Sequence, residues 1–163
     1  MRKTLAVFCL FFCVAGAQAQ ESAALDSPLS PSFMSRAFDG MESTLERALG
    51  YIGIRYRRGG SSPETGFDCS GFVRHVFGET LGLELPHNAK AISLQGERVD
   101  RAELMPGDLV FFDTMRRAFS HVGIYLGNSL FVHAPRTGGR VRIEDMTDQY
   151  WSRRYNGARR FQP

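Results

Sequence analysis

The chain has 163 residues, with 20 Lys or Arg against 17 Asp or Glu, and three cysteines. Its arginine pairs Arg57-Arg58, Arg116-Arg117, Arg153-Arg154 and Arg159-Arg160 are scattered among acids, which excludes a nucleic-acid binder that works through a basic face. The one long apolar run lies at the start and is shorter than the ~20 residues a membrane-spanning helix needs, so the mature chain is expected to carry no integral membrane segment.

Met1 to Ala19 reads as a secretory signal, with Arg2 and Lys3 as its charged start, Leu5 to Val14 as its apolar stretch and Ala17-Gln18-Ala19 as a small-x-small cleavage site. The protein is therefore expected to be exported, periplasmic or secreted, and to begin at Gln20. Leu10-Phe11-Phe12-Cys13 offers the competing arrangement, lipid attachment at Cys13, which the bulk of Phe12 disfavours. Cleavage leaves 144 of the 163 residues, 18 basic against 17 acidic, and Cys69 as the lone thiol. That length suits one domain with its own core. Exported proteins usually keep cysteines in pairs, so a single one points to reactivity or to burial.

Residues 20–40 read as a flexible arm, polar and without periodicity, and residues 41–163 as the domain. Met41, Leu45, Ala48, Leu49 and Ile52 recur at helical spacing, predicting a first helix that ends at Gly50 or Gly53. After the loop Gly59-Gly60-Ser61-Ser62-Pro63, a second helix is predicted to start near Asp68, its cap, and to bury Phe72, Val73, Val76 and Phe77. Gly78 or Gly82 ends it. A weaker helical segment, Ala89 to Leu94, follows the loop Leu85-Pro86-His87-Asn88, and Pro106-Gly107 makes a turn. The remainder changes character: "DLVFFD", "HVGIYLG", "SLFVHA" and "RVRIEDM" read as strands of an antiparallel meander. Helices followed by strands predict an α+β domain with the helices on one face of the sheet.

Cys69 sits where the second helix begins, in a polar Asp68-Cys69-Ser70-Gly71 setting. Unpaired N–H groups and the positive end of the helix dipole favour thiolate there and offer a donor to a developing oxyanion, while Gly71 leaves the approach open. A small buried cysteine is the alternative reading. Among the possible bases, His75 lies too far round the helix and His87 has no residue to orient it. His121 and His133 stand in two strands joined through Gly127-Asn128-Ser129. A three-residue loop would pair Leu126 with Leu130 and Gly123 with His133, leaving the histidines as diagonal neighbours on one face, whereas a two-residue turn would send them to opposite faces. His121 is then the base and His133 the residue that orients it. The same three side chains form an alternative zinc site, for which no close-spaced ligand pair exists; no metal and no cofactor is expected.

These motifs together resemble the NlpC-type family of cell-wall cysteine peptidases, a compact papain-like fold. The resemblance runs from about Thr44 to Phe161 through Arg55-Tyr56-Arg57-Arg58-Gly59-Gly60, Asp68-Cys69-Ser70-Gly71-Phe72, Pro106 to Phe112, His121 to Tyr125 and Phe131-Val132-His133-Ala134. "GLELP" and "YWSRRYNGARRF" are similar to the single-domain murein endopeptidases of the Spr/MepS type. The resemblance implies Cys69 as nucleophile, His121 as base, His133 as its orienting partner and Tyr56 as a donor to oxyanion or substrate. It implies peptidoglycan as substrate, with Asp68, Ser70 and Arg57 as candidate contacts, and leaves Arg58, Arg116 and Arg117 as further partners for peptide carboxylates. The expected reaction is thioester-mediated hydrolysis of the D-Ala to meso-diaminopimelate cross-link. The alternatives are cleavage between γ-D-Glu and diaminopimelate, or a wall-binding module without catalysis. No regulatory partner is identifiable.

Overall fold

The structure, a computed structural model, describes residues 31–114 and 116–161. The expected signal segment, Cys13 and the first part of the arm lie outside the described residues. Helix α1 (Pro31–Gly50) starts ten residues before the predicted Met41, so the second part of the expected arm is helical. Pro31 suits a first helical turn, where its missing N–H goes unused. Met34 and Phe38 extend the apolar series of Met41 and Leu45 backwards by the same spacing, although they remain exposed.

A small hairpin, β1 (Ser61–Ser62) with β2 (Gly66–Phe67), leads into α2 (Cys69–Leu81). The cap at Asp68 and the left-handed stop at Gly82 agree with the sequence reading, since an acceptor side chain suits the first position and only glycine takes a positive φ freely at the last. Then come α3 (Ala89–Ile92), β3 (Glu97–Val99), β4 (Leu109–Phe112), β5 (His121–Gly127), β6 (Leu130–His133), β7 (Arg142–Asp145), α4 (Gln149–Ser152) and β8 (Tyr155–Arg160).

The main sheet is antiparallel in the order β3-β8-β4-β5-β6-β7, so the predicted meander is present and the tail returns to pair with β4. Arg160 holds that return, its Nε and Nη2 each donating at 2.8 Å to the two carboxylate oxygens of buried Asp108. On one sheet face Val122, Ile124, Val132, Leu109 and Phe111 meet Phe72, Val73, Val76 and Phe77 of α2. On the other, Val110, Phe112, Phe131 and Ala158 are covered by Met146 and Trp151. Burial on both faces is why β4 reads as an unbroken apolar run rather than an alternation.

Candidate active site

The nucleophile candidate is set by one carboxylate. Asp68 Oδ1 accepts from the Gly71 N–H at 2.7 Å and the Ser70 hydroxyl at 3.0 Å, and Oδ2 accepts from the Gly59 N–H at 2.9 Å. His87 Nε2 lies 3.0 Å from Oδ1, so the loop histidine, thought to lack a partner, joins this cap. A Cβ on Gly71 would stand 2.0 Å from the Gly60 carbonyl oxygen and 2.9 Å from His87 Nε2. The missing side chain therefore makes room for the capping loop, and not for a substrate as the sequence reading had it.

Burial, with the charge of Asp68 second, pushes the Cys69 thiol up to about 11; N–H groups of Val122, Ser70 and Cys69 itself oppose the rise. These two causes work against the thiolate that the helix start is expected to favour. The helix start does present donors, but the cap that orders it is an anion beside the sulfur, and packing around the partly buried Cys69 works in the same direction. Tyr56 is half-buried, and burial, followed by the charges of Cys69 and Asp68, raises its phenol, which keeps it a donor.

The histidine hairpin reaches the expected arrangement by a different route. Asn128 and Ser129, at φ of 50° and 64°, form a two-residue turn closing the pair Gly127–Leu130. Alone it would put the histidines on opposite faces. A bulge between Tyr125 and Gly127 takes up Leu126 as an extra residue, and the register returns to Tyr125–Phe131 and Ile124–Val132. Gly123 then faces His133, where a Cβ would come within 2.7 Å of Phe131 Cδ2 and 3.2 Å of His133 Cβ. Only a glycine leaves the imidazole its place.

His121 Nε2 and His133 Nδ1 are 2.7 Å apart, the rings crossing at 89°. Behind them His133 Nε2 stands 3.0 Å from Glu144 Oε2 on β7, a residue the sequence reading missed. That approach is off the line of a straight hydrogen bond, and neither atom has another hydrogen-bond partner. Glu144 Oε1 accepts from Arg142 Nε at 2.8 Å and faces Nη2 at 2.6 Å. Burial alone would raise the Glu144 carboxyl, but His133 and then Arg142 hold it down at about 2. Burial, then His133, takes His121 well below the usual imidazole range, and burial against the pull of Glu144 lowers His133. Trp151, also missed, stacks on His121 at 5.6 Å and meets His133 edge-on at 5.1 Å. As the single tryptophan in the chain, beside a tyrosine, it carried the only available signal.

A cleft of about 660 Å³ gathers Tyr56, Cys69, His121, Glu144 and Trp151 along its walls, with Arg58, Arg136 and Arg142. The N–H of Val122, next in chain to His121, reaches the Cys69 sulfur, which joins the helix start to the histidine strand. Arg57, Asp68 and Ser70 are not part of that lining; Arg58 is the arginine presented, and Asp68 with buried Ser70 is turned to the cap. His75 contacts Tyr51 and Glu79 instead. Among the described residues, no three His, Cys, Asp or Glu side chains are grouped to hold a metal ion.

The sequence pattern of the NlpC/P60 family matches residues 53–160. The chain is 45% identical over 128 residues to the "Murein DD-endopeptidase MepS/Murein LD-carboxypeptidase" of Escherichia coli (strain K12), covering 77% of this chain and 65% of that one. It is 42% identical over 118 residues to the "Gamma-DL-glutamyl hydrolase" of Bacillus subtilis (strain 168), covering 72% of this chain and 28% of that one. It thus spans less than two thirds of either relative's length. A solved NlpC/P60 family protein from Bacillus cereus ATCC 10987 superposes with a TM-score of 0.71 at 30% identity, over 76% of this chain and 40% of that one.

Proposed function

Since the chain belongs to the NlpC/P60 family, we propose that it is an exported cysteine peptidase that hydrolyses peptide-stem bonds of peptidoglycan. The observation that carries the reading is the meeting of Cys69, at the start of α2, with the coupled His121–His133 pair on one cleft. A wall-binding module without catalysis has no use for a thiol and an imidazole lining one cleft, with a second imidazole behind the first.

In this reading the thiol and imidazole rest neutral, and charge forms only during attack. His121 Nε2 is committed to His133, which leaves Nδ1 to take the thiol proton. The sulfur bonds to the scissile carbonyl carbon, and the oxygen charge is met by the Cys69 N–H and the Tyr56 hydroxyl. His121 returns the proton to the departing amine, giving a thioester. Water, deprotonated by the same imidazole, attacks the thioester, and the sulfur leaves with the proton restored. His133 keeps the His121 ring in plane throughout, between its own Nδ1 and the face of Trp151.

For the bond, the resemblance to the Spr/MepS type favours the D-Ala to meso-diaminopimelate cross-link. The identity with the Bacillus hydrolase supports the second reading, cleavage after γ-D-Glu. Residues 20–163 and a Cys69→Ala control, kept reduced, are to be incubated with cross-linked sacculi and the products identified by mass spectrometry. Conversion of cross-linked dimers to intact monomers establishes the first bond, and stems truncated at γ-D-Glu establish the second. Equal products from wild type and Cys69→Ala overturn the peptidase reading.

A further inference from the structure

We infer that Glu144 is a positioning residue that fixes the ring protons of both histidines and so leaves His121 able to act as a base. The inference rests on the peptidase reading above and concerns a residue outside the cysteine and histidine motifs.

The two imidazoles share one contact, His121 Nε2 to His133 Nδ1 at 2.7 Å, and a single hydrogen lies in it. Each neutral ring carries one N–H, so two arrangements exist. In the first, His121 donates from Nε2, its Nδ1 lone pair is free for the thiol, and the His133 hydrogen sits on Nε2. In the second, His133 donates from Nδ1, the His121 hydrogen sits on Nδ1 where the thiol proton must arrive, and His133 Nε2 presents a lone pair. Catalysis needs the first. Nothing within the histidine pair selects it, because the shared contact is equally good either way.

Glu144 makes the selection. An ionised carboxylate only accepts, and its Oε2 stands 3.0 Å from His133 Nε2, off the line of a straight hydrogen bond, with no hydrogen-bond partner elsewhere for either buried atom. A hydrogen on Nε2 puts positive charge beside that oxygen even in a bent approach; a lone pair there would face another lone pair between two buried atoms. Arg142 keeps the carboxylate ionised and aimed, gripping Oε1 and leaving Oε2 to the ring. The register explains how they meet. Phe131 faces Glu144 and His133 faces Arg142 across β6 and β7, so all four side chains share the face that Trp151 covers, with Glu144 diagonal to His133. A plain ion pair along β7 would need only Arg142 and Glu144; it would not place the second oxygen beside a buried imidazole.

The test is direct, because nitrogen-15 shifts of labelled histidine rings report which nitrogen bears hydrogen. In the wild type, both His121 and His133 are expected to carry it on Nε2. In Glu144→Gln the amide can either accept or donate, so Nδ1–H signals should appear, and kcat should fall about 10–100-fold with little change in KM. Glu144→Asp, which keeps the carboxylate, should recover part of both. Unchanged ring signals with kcat within about twofold of wild type would reduce Glu144 to an ion pair with Arg142 along β7 and overturn the inference. If Glu144→Gln does not fold, the wild-type spectrum decides, since an Nδ1–H on either ring refutes the assignment. A wild type that shows the expected rings but performs no better on sacculi than Cys69→Ala would sink the peptidase reading and leave the proton arrangement standing.

Discussion

The start of α2 and the β5-β6-β7 end of the sheet each set a carboxylate beside a candidate reacting group, Asp68 next to Cys69 in one and Glu144 next to His133 in the other, and the two act in opposite senses. Asp68 is spent on backbone: it caps α2, ties down Gly59 and, being an anion beside the sulfur, discourages thiolate. Glu144 is spent on a side chain and favours positive charge on the histidines, which burial opposes. The difference teaches that a helix start is not by itself an activating device. Its effect on a thiol depends on the charge of the cap and on water access, and in the proposed mechanism activation falls to His121.

The deepest break in this comparison comes from removing reacting groups. If the proposed mechanism holds, Cys69→Ala and His121→Ala should each lower peptide-stem cleavage by about 10⁴-fold or more, because each deletes a group that there forms a bond or takes a proton. His133→Ala should cost about 10²-fold, since Trp151 still restrains the His121 ring. Rates on a purified cross-linked dimer give the order, and a His133→Ala rate equal to wild type would remove His133 from the mechanism.

Next in size are the glycines that let each half assemble. Gly123→Ala places a Cβ 2.7 Å from Phe131 Cδ2 and 2.9 Å from the Val132 carbonyl oxygen. It should destabilise by about 1–3 kcal/mol and misplace His133, lowering kcat with it. Gly71→Ala drives its Cβ to 2.0 Å from backbone rather than side chain, which cannot yield, and should be the worse of the two in urea unfolding. A Gly123→Ala enzyme with full stability and full activity would show that the hairpin has slack.

What could be read in advance divides along the same line. The cap, helix and thiol of the α2 half are contiguous in sequence, and local rules found Asp68, Cys69 and the buried face together. The histidine pair was legible through pairing arithmetic, though Asn128 and Ser129 make the two-residue turn that should have separated them, and the bulge at Leu126 restored the register. A bulge of that kind leaves no mark in an alternating apolar run. Glu144 was hidden because the connection from Ala134 to Val141 does not fix the β6-β7 register, so an Arg-x-Glu pair reads as an outward strand face. Strand β8 escaped because "YNGARR" is polar; its place comes from backbone pairing on both sides and the Asp108–Arg160 contact, neither of which is a hydropathy pattern.

The charge contrast is sharpened by Asp68→Asn. Asparagine caps as well as aspartate, so α2 should survive while the anion beside Cys69 disappears. Burial, the larger cause, remains, so the thiol should stay above the ordinary range yet come down from about 11. Reaction of Cys69 with iodoacetamide at pH 8 should quicken by about threefold to tenfold, one tenfold step corresponding to one unit of pKa. An unchanged rate would mean that Asp68 is silent at the sulfur.

The mildest test compares the halves through acid. His121 and His133 are held below their unfolded values in the fold, so as pH falls through about 6.5 the unfolded chain takes up protons that the folded chain refuses. Their stability contribution is therefore complete above that pH and drains away beneath it, by up to about 1.4 kcal/mol per pH unit for each ring. Glu144 has the same sign in a lower window: depressed to about 2 from an ordinary 4.5, its contribution holds above 4.5 and is lost as pH drops towards 2. Urea unfolding at pH 7.5, 6.5 and 5.5 should show wild-type stability falling across the series, and His121→Gln should flatten part of that slope. Asp68→Asn touches neither of these two rings and should keep the part of the slope that His121→Gln removes; a variant that lost that same part would mean that the two halves titrate as one unit.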